Sequence, residues 1–224
     1  MAFAIAIDGP AGAGKSTIAK RVAKALGFVY VDTGAMYRAI TLGCMRQGFD
    51  PAREVEKTIA ALPSLHVELT PQGQVLLNGE DVSKAIRTEE CSRLTSPTSA
   101  IPQVRTYLVA QQRQMAASAD VVMDGRDIGT NVLPGAQVKI FMVASPQTRA
   151  HRRYLEEVAR GEKADENQIL QDIIQRDYND SHRPTDPLKQ AEDAILLDTS
   201  DLDVDQVVAK VLEAVQPKLE VARA

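Results

Sequence analysis

Gly9-Pro10-Ala11-Gly12-Ala13-Gly14-Lys15-Ser16 is the stretch on which the reading of this chain turns. It satisfies G-x-x-x-x-G-K-[ST] without a mismatch. Glycines let backbone N–H groups turn inward and approach an anion with no Cβ in the way. A helix opening at the end of such a loop adds its unpaired N–H groups and its positive dipole end. Lys15 brings a mobile charge to the β and γ phosphates of a nucleotide, and the Ser16 hydroxyl offers a ligand to Mg²⁺. The alternative, a glycine-rich turn arising by chance, requires no particular neighbours. This stretch lies between an apolar run and an amphipathic pattern, so a phosphate-binding loop is the expected structure.

Upstream, Ala2-Phe3-Ala4-Ile5-Ala6-Ile7 is a short, nearly continuous apolar run, suited to a strand buried on both faces of a parallel sheet. Downstream, Ile18, Val22 and Leu26 recur four apart with Ala19 and Ala23 beside them, and Gly27 is placed to end that helix. Phe28-Val29-Tyr30-Val31 reads as the next strand. A β-loop-α-β order opens a doubly wound sheet. Helices are predicted over 34–47, ending at Gly48, and over 54–62. Leu65, Val67 and Leu69 then alternate with polar residues, a turn falls at 71–73, Val75-Leu76-Leu77 follows, and Asn78-Gly79 makes a second turn. That texture predicts a small antiparallel insert between α/β units. Strand texture returns at 121–124 and 138–143. Helices are expected at about 147–160 and 165–178 around a polar break at 160–164, then a strand at 194–197 and a helix at about 204–215. The fold class is α/β: a P-loop doubly wound parallel sheet with helices on both faces, plus the antiparallel β insert.

The 224 residues suffice for one sizeable core with a smaller appended lobe. A net charge of −4 lacks the overall basic footprint that duplex nucleic acid demands. Aromatics are 4% and Trp is absent, so aromatic stacking is not expected to be the main recognition device. Cys44 and Cys91 sit in no CxxC pair and near no His at metal-ligand spacing, which argues against zinc; buried thiols in a reducing cytoplasm are expected. Residues 2–7 lack a basic flank, so no signal peptide is expected, and no apolar run approaches the roughly 20 residues of a membrane helix. A cytoplasmic monomer without nucleic-acid or membrane partners follows as the expectation.

The arginines are suggestive as a set. Arg38 follows Asp32-Thr33-Gly34-Ala35-Met36-Tyr37, Arg126 sits in Asp124-Gly125-Arg126-Asp127, Arg149, Arg152 and Arg153 share one predicted helix, and Arg176 and Arg183 flank a polar stretch. Any single arginine is more often on a solvated helix face. Several here fall at strand ends, where open α/β sheets bind ligands. An Arg-rich cleft is what two phosphorylated substrates meeting head to head require. Asp124, at a strand end, is a candidate to orient Mg²⁺ or its waters, with a turn or cap role as the alternative. His66, His151 and His182 form no constellation, and Tyr37 reads as a packing residue.

Three stretches together carry a family resemblance: Asp8 through Thr17, Asp32 through Arg38, and Asp124-Gly125-Arg126-Asp127-Ile128-Gly129-Thr130, with Arg176-Asp177 and Arg183 completing the match. On them the chain resembles the bacterial cytidylate kinase family over essentially its whole length. The resemblance implies transfer of the ATP γ-phosphoryl to CMP or dCMP, with Mg²⁺ accompanying ATP. It implies ATP contacts along Gly9 to Thr17, and a CMP site lined by Thr33, Arg38, Ser96, Arg105, Arg126, Asp127, Arg176, Asp180 and Arg183. Within that set Ser96, Arg105 and Asp127 fall where the family reads cytosine, Arg176 and Asp180 near the ribose, and Arg38 and Arg183 near phosphate. Thr33 is implied as a hydroxyl donor. The catalytic candidates are Lys15, Arg126, Arg152, Arg153 and Arg183, with Arg152 and Arg153 on a lid at about 150–166. The insert belongs to a monophosphate-binding lobe at about 33–110, within one domain spanning 1–224. UMP or AMP stays open as the acceptor. A nucleotide-dependent switch is disfavoured because no Asn-Lys-x-Asp guanine motif occurs.

Overall fold

The first strand, β1 (Ala4–Asp8), is buried at every residue, as a strand covered on both faces must be. A computed structural model describes residues 2–224. The glycine-rich loop leads from β1 into α1 (Lys15–Leu26), whose Ile18, Ala19, Val22 and Ala23 face the core. Gly27 ends α1 at φ 70°, and its N–H returns to the Ala23 carbonyl. β2 (Val29–Asp32) runs directly into α2 (Thr33–Arg46), which the Asp32 carboxylate caps by accepting from the Ala35 N–H.

After α3 (Val55–Ala61) come β3 (Val67–Leu69), β4 (Val75–Leu77) and β5 (Glu80–Asp81), a three-stranded antiparallel sheet in the order β3-β4-β5. Asn78 and Gly79 both have positive φ, 52° and 83°, the signature of a tight two-residue hairpin. Val67, Val75 and Leu77 bury one face of this insert into the same apolar cluster as α2.

The main sheet continues with β6 (Val121–Gly125), β7 (Val138–Val143) and β8 (Ile195–Asp198), all parallel, in the order β2-β6-β1-β7-β8. Helices α6 (Pro146–Ala159) and α7 (Glu166–His182) lie between β7 and β8, and α8 (Val204–Arg223) closes the chain. The apolar cluster on one face of the sheet joins α2, the insert and residues 101–109; the other joins α1 and α8.

The structure corrects the sequence reading in three places. Residues 87–120, in which no element was expected, hold α4 (Glu89–Ser99) and α5 (Pro102–Ser118). Pro97 inside α4 hides the first, since proline ordinarily breaks a helix. In α5 the buried stripe is Val104, Arg105, Leu108, Val109 and Gln112, so two of its five inward positions are polar. The periodicity is helical, but hydrophobicity does not mark it. Helix α7 continues to His182, four residues past its expected end. Helix α8 continues through Pro217 to Arg223, not stopping near 215. Val207, Val211, Val215 and Leu219 line its buried face at intervals of four. Burying the Leu219 side chain is worth about 1.5–3 kcal/mol, comparable with the ~3 kcal/mol cost of an interior proline.

Candidate active site

Gly9 is demanded by the sheet itself. A Cβ there would lie 2.0 Å from the Met142 carbonyl oxygen on β7. Gly12 and Gly14, at φ 75° and 85°, supply the left-handed turns that aim the loop into α1. The first glycine thus seats the loop against the sheet, and the other two shape its anion-facing backbone. Thr17 is exposed at the start of α1, and Ala11 and Ala13 are buried under the loop.

Strand register sets a row of acids beside the loop. Asp8 stands opposite Gly125 across the β1–β6 pairing, and Asp32 stands opposite Asp124 across β2–β6. Asp124 accepts from the Ser16 hydroxyl at 2.9 Å and from the Tyr30 hydroxyl at 2.8 Å. Burial, then the neighbouring Asp32, pushes its carboxyl up to about 6. Asp8 accepts from the Ile128 and Gly129 N–H groups at 2.8 and 2.7 Å, and so ties the start of the phosphate loop to the turn carrying Arg126 and Asp127. Burial raises Asp8 to about 6 as well, against those two bonds.

Three cations converge on the same ground. Lys15 is 5% exposed and donates to the Pro10 carbonyl at 2.7 Å. Burial, then Arg126, pushes its ammonium down to about 7, while Asp124 and Asp8 oppose the shift. Arg126 donates to Asp180 at 2.8 Å. Burial works against the charge of Asp180, but Arg126, Arg176 and Arg183 together hold its carboxyl below the ordinary value. Arg176 is pushed down to about 10 by burial and by Arg126, and its buried Nε has no hydrogen-bond partner. A buried, unpartnered guanidinium N–H beside two further cations is costly by itself and is relieved by an anion.

A separate cluster gathers around Asp127. Its carboxylate accepts from the Arg105 guanidinium, from Arg183 at 3.2 Å and from Asn131 at 3.1 Å. Arg126 is not among its partners. Arg126 turns instead to Asp180 on α7. Arg105 is 2% exposed, and the Tyr37 ring lies 5.5 Å from its guanidinium. The Tyr37 hydroxyl is buried and unpartnered. The Thr33 hydroxyl donates to the Asp124 carbonyl at 2.7 Å, which leaves its lone pairs for any further contact.

Two cavities frame these groups. The larger, of about 660 Å³, is lined by Gly12 to Gly14, Thr17, Arg38, Arg87, Arg149, Arg152 and Arg153, with Thr199 to Val207 on its far wall. Arg38 donates to the Ile86 carbonyl and the Ser92 hydroxyl, Arg152 to the Thr199 carbonyl at 2.6 Å, and Arg153 to Glu157 at 2.8 Å. The smaller, of about 440 Å³, is lined by Ser96, Asp180 and Arg183 together with Tyr178 and His182. Arg38, Arg152 and Arg153 thus line the larger cavity and Ser96, Asp180 and Arg183 the smaller.

Sequence reasoning left three residues of this region without a role. Arg149, 3% exposed, donates to the Ala11 carbonyl of the phosphate loop at 2.9 Å and grips Asp177 through both Nη atoms. It splints the loop to α6 and α7. Arg87 brings the insert to the rim of the larger cavity, 3.6 Å from Asp32. Asp186 joins the Asp127 cluster. Only Arg149 carried a signal, through its place among the helix arginines.

The Ser16–Asp124 pair passes a chemical test for Mg²⁺: a hydroxyl and a carboxylate, hard oxygen donors, beside a phosphate-binding loop. Among the described residues no group of three or more His, Cys, Asp or Glu is assembled to hold a metal ion. An ion here would depend on substrate phosphates for most of its ligands. No helix among those residues is long and apolar enough to cross a membrane. Cys44 and Cys91 are buried and free.

Comparison with known proteins points to one family. The family model described as cytidylate kinase matches residues 5–217. A cytidylate kinase of Anoxybacillus flavithermus is 49% identical over 97% of this chain and 98% of its own length. One from Exiguobacterium sibiricum is 50% identical over 96% and 98%. Among solved structures, a gluconokinase from Sinorhizobium meliloti shares the fold at 14% identity, with a TM-score of 0.52 over 99% of this chain and 95% of its own.

Proposed function

The chain belongs to the cytidylate kinase family, and from that premise we propose that it transfers the γ-phosphoryl group of ATP to CMP or dCMP. The observation that carries the reading is the meeting, at the ends of β1 and β6, of a phosphate loop with a buried Asp127–Arg105–Arg183 cluster. One end suits a triphosphate and the other a polar base edge.

In this reading the loop from Gly9 to Thr17 binds the ATP phosphates, and Lys15 follows the charge as it moves from γ-phosphoryl to product. Arg126 neutralises the acceptor phosphate, Arg38 adds to it from the insert side, and Arg176 borders the ribose. Asp180 holds Arg126 and borders the ribose. Ser96, Arg105 and Asp127 enclose the base, Arg183 leads from Asp127 towards the acceptor phosphate, and the Thr33 hydroxyl borders the acceptor. Arg152 and Arg153 close over ATP as part of a lid at about 150–166, opposite a monophosphate-binding lobe at about 33–110. Mg²⁺ would be held by Ser16, with Asp124 orienting it or its waters, and would neutralise phosphate charge. The transfer is in line: the acceptor oxygen forms the new P–O bond as the bond to ADP breaks. Closure excludes water, which would otherwise accept the phosphoryl group. ADP formation measured with CMP, dCMP, UMP and AMP tests the assignment. CMP and dCMP are expected to lead, and a preference for UMP or AMP would overturn it.

No protein base is required, because a phosphate monoester with second pKa near 6 is already mostly dianionic at pH 7. Turnover is expected to fall as pH drops through about 6. The acceptor phosphate goes from dianion to monoanion there, Asp124, raised to about 6, becomes neutral, and each is in its working form above that pH. For stability, the shift of Asp124 acts in the opposite sense. Folded Asp124 keeps its proton to higher pH than the unfolded chain, so its ionisation costs stability as pH rises from 3.8 towards 6. Single replacement of exposed His66, His151 or His182 should leave the acidic limb of turnover in place. Loss of the limb in any one variant would identify an overlooked base.

The lid has its own expected signature. Residues 160–163 between α6 and α7 are exposed, and the two helices share a small apolar cluster of Ala150, Ile169 and Ile173. Hydrogen exchange across 150–166 is expected to slow when ATP and CMP bind together. Equal protection with and without both nucleotides would rule out closure in this segment.

A further inference from the structure

Asp186 lies in the segment between α7 and β8, at φ 47°. Left-handed backbone is uncommon outside glycine, and Asp tolerates it better than most residues. The conformation brings the Asp186 carbonyl back onto its own segment, where Arg183 donates to it through Nε at 2.7 Å and also through Nη2. The Asp186 side chain points elsewhere and accepts from Arg105 Nε at 2.8 Å. Arg105 in turn donates through Nη2 to Asp127, and Arg183 donates through Nη2 to the other oxygen of Asp127. The four residues close a ring: Asp186 carboxylate, Arg105, Asp127, Arg183, Asp186 carbonyl. Each arginine is held between the same two aspartates.

The charges in the ring balance, two against two. Arg105 is 2% exposed and Asp127 4% exposed, so neither can exchange its partner for water at little cost. With only Asp127 on Nη2 and a long 3.4 Å bond from Nη1 to the Ser99 carbonyl, the Arg105 guanidinium keeps a rotational choice. Asp186 on Nε removes that choice and fixes which N–H groups remain free to meet a ligand. We propose that Asp186 is a positioning residue for acceptor-base selection, acting through Arg105 by its carboxylate and through Arg183 by its main-chain carbonyl. This rests on CMP being the acceptor. Released from Asp186, Arg105 is free to turn its N–H groups towards a carbonyl at the position where cytosine carries an amino group, which favours uracil.

Three substitutions separate the two oxygens. Asp186→Gly keeps the left-handed backbone and its carbonyl but deletes the carboxylate. Asp186→Ala deletes the carboxylate and strains the backbone as well. Asp186→Asn keeps an oxygen acceptor and tolerates the same φ. Steady-state specificity constants for CMP and UMP, with KM for ATP, are measured in each. The Gly and Ala variants are expected to lose about tenfold in kcat/KM for CMP, the scale of a lost charge-assisted hydrogen bond. The loss should come mainly through KM for CMP, with a lower CMP-to-UMP ratio and KM for ATP within about twofold of wild type. The Asn variant is expected to recover most of it. A Gly variant indistinguishable from wild type would overturn the proposal, since the carboxylate would then do nothing. Equal losses for CMP, UMP and ATP would also overturn it, in favour of general scaffolding. So would an Asn variant no better than Ala. If the wild type itself fails to prefer CMP, the acceptor assignment falls and takes this inference with it; an unchanged ratio in the variants beside a CMP-preferring wild type rejects the inference alone.

Discussion

Lys15→Ala is expected to lower turnover by about 10²–10³, the scale of removing one donor that acts on transition-state charge. The site explains why nothing nearby substitutes for it. Lys15 is 5% exposed, and its ammonium already carries the cost of burial and of Arg126 beside it. Such a charge is poorly solvated by its surroundings and strengthens as negative charge gathers on the β and γ oxygens. Arg126 is committed to Asp180, and Arg149 to the Ala11 carbonyl and Asp177, so neither is free to take its place. The substitution also leaves Asp8 and Asp124 without a compensating cation, so thermal unfolding of the variant is measured alongside. A folded variant that keeps more than half of wild-type turnover would refute the role given to Lys15.

Asp127→Asn is expected to reduce selectivity for CMP over UMP by at least about tenfold, or roughly 1.4 kcal/mol. An ionised carboxylate has about four acceptor positions and no donor. Arg105, Arg183 and Asn131 occupy three of them, which leaves one for an exocyclic amino group such as cytosine presents. Uracil would set a carbonyl oxygen against that carboxylate, the mismatch by which Asp and Glu distinguish cytosine elsewhere. Asparagine turns one oxygen into an amide donor, which meets an arginine with the wrong polarity and loses the acceptor edge. Sites built on such pairings discriminate strongly, because the wrong ligand leaves buried groups unpaired. The measurement is the ratio of kcat/KM for the two acceptors in wild type and variant. A change that weakens CMP and UMP alike would reduce Asp127 to a scaffold for its two arginines.

Local patterns in the chain carried the parts of this protein whose physics is local. The Gly9–Ser16 loop, the helix after it and its stop at Gly27 are legible because glycine conformation and helix periodicity operate over a few residues. The Asn78-Gly79 hairpin is legible for the same reason. Helix α5 was not, because Arg105 and Gln112 occupy inward positions that would ordinarily be apolar. Arg105 faces inward because of Asp127 and Asp186, which lie 22 and 81 positions further along the chain. No window on the sequence contains all three.

The same boundary runs through the site. Residue types and spacing point to a triphosphate-binding loop with Lys15 and Ser16 as its expected contacts, and to an α/β sheet protein with an antiparallel insert. Family resemblance extends that list to Arg105, Asp127, Arg176 and Arg183 but says nothing of how they are held. Strand order and register decide that Asp32 stands beside Asp124 and Asp8 beside Gly125, and so which carboxylates are raised. Packing decides that Arg126 pairs with Asp180 and not with its neighbour Asp127, that Arg149 braces the phosphate loop, and that Asp186 closes a ring with Arg105, Asp127 and Arg183. Charge–charge energies depend on distance and burial, and in a folded chain neither is a function of sequence separation.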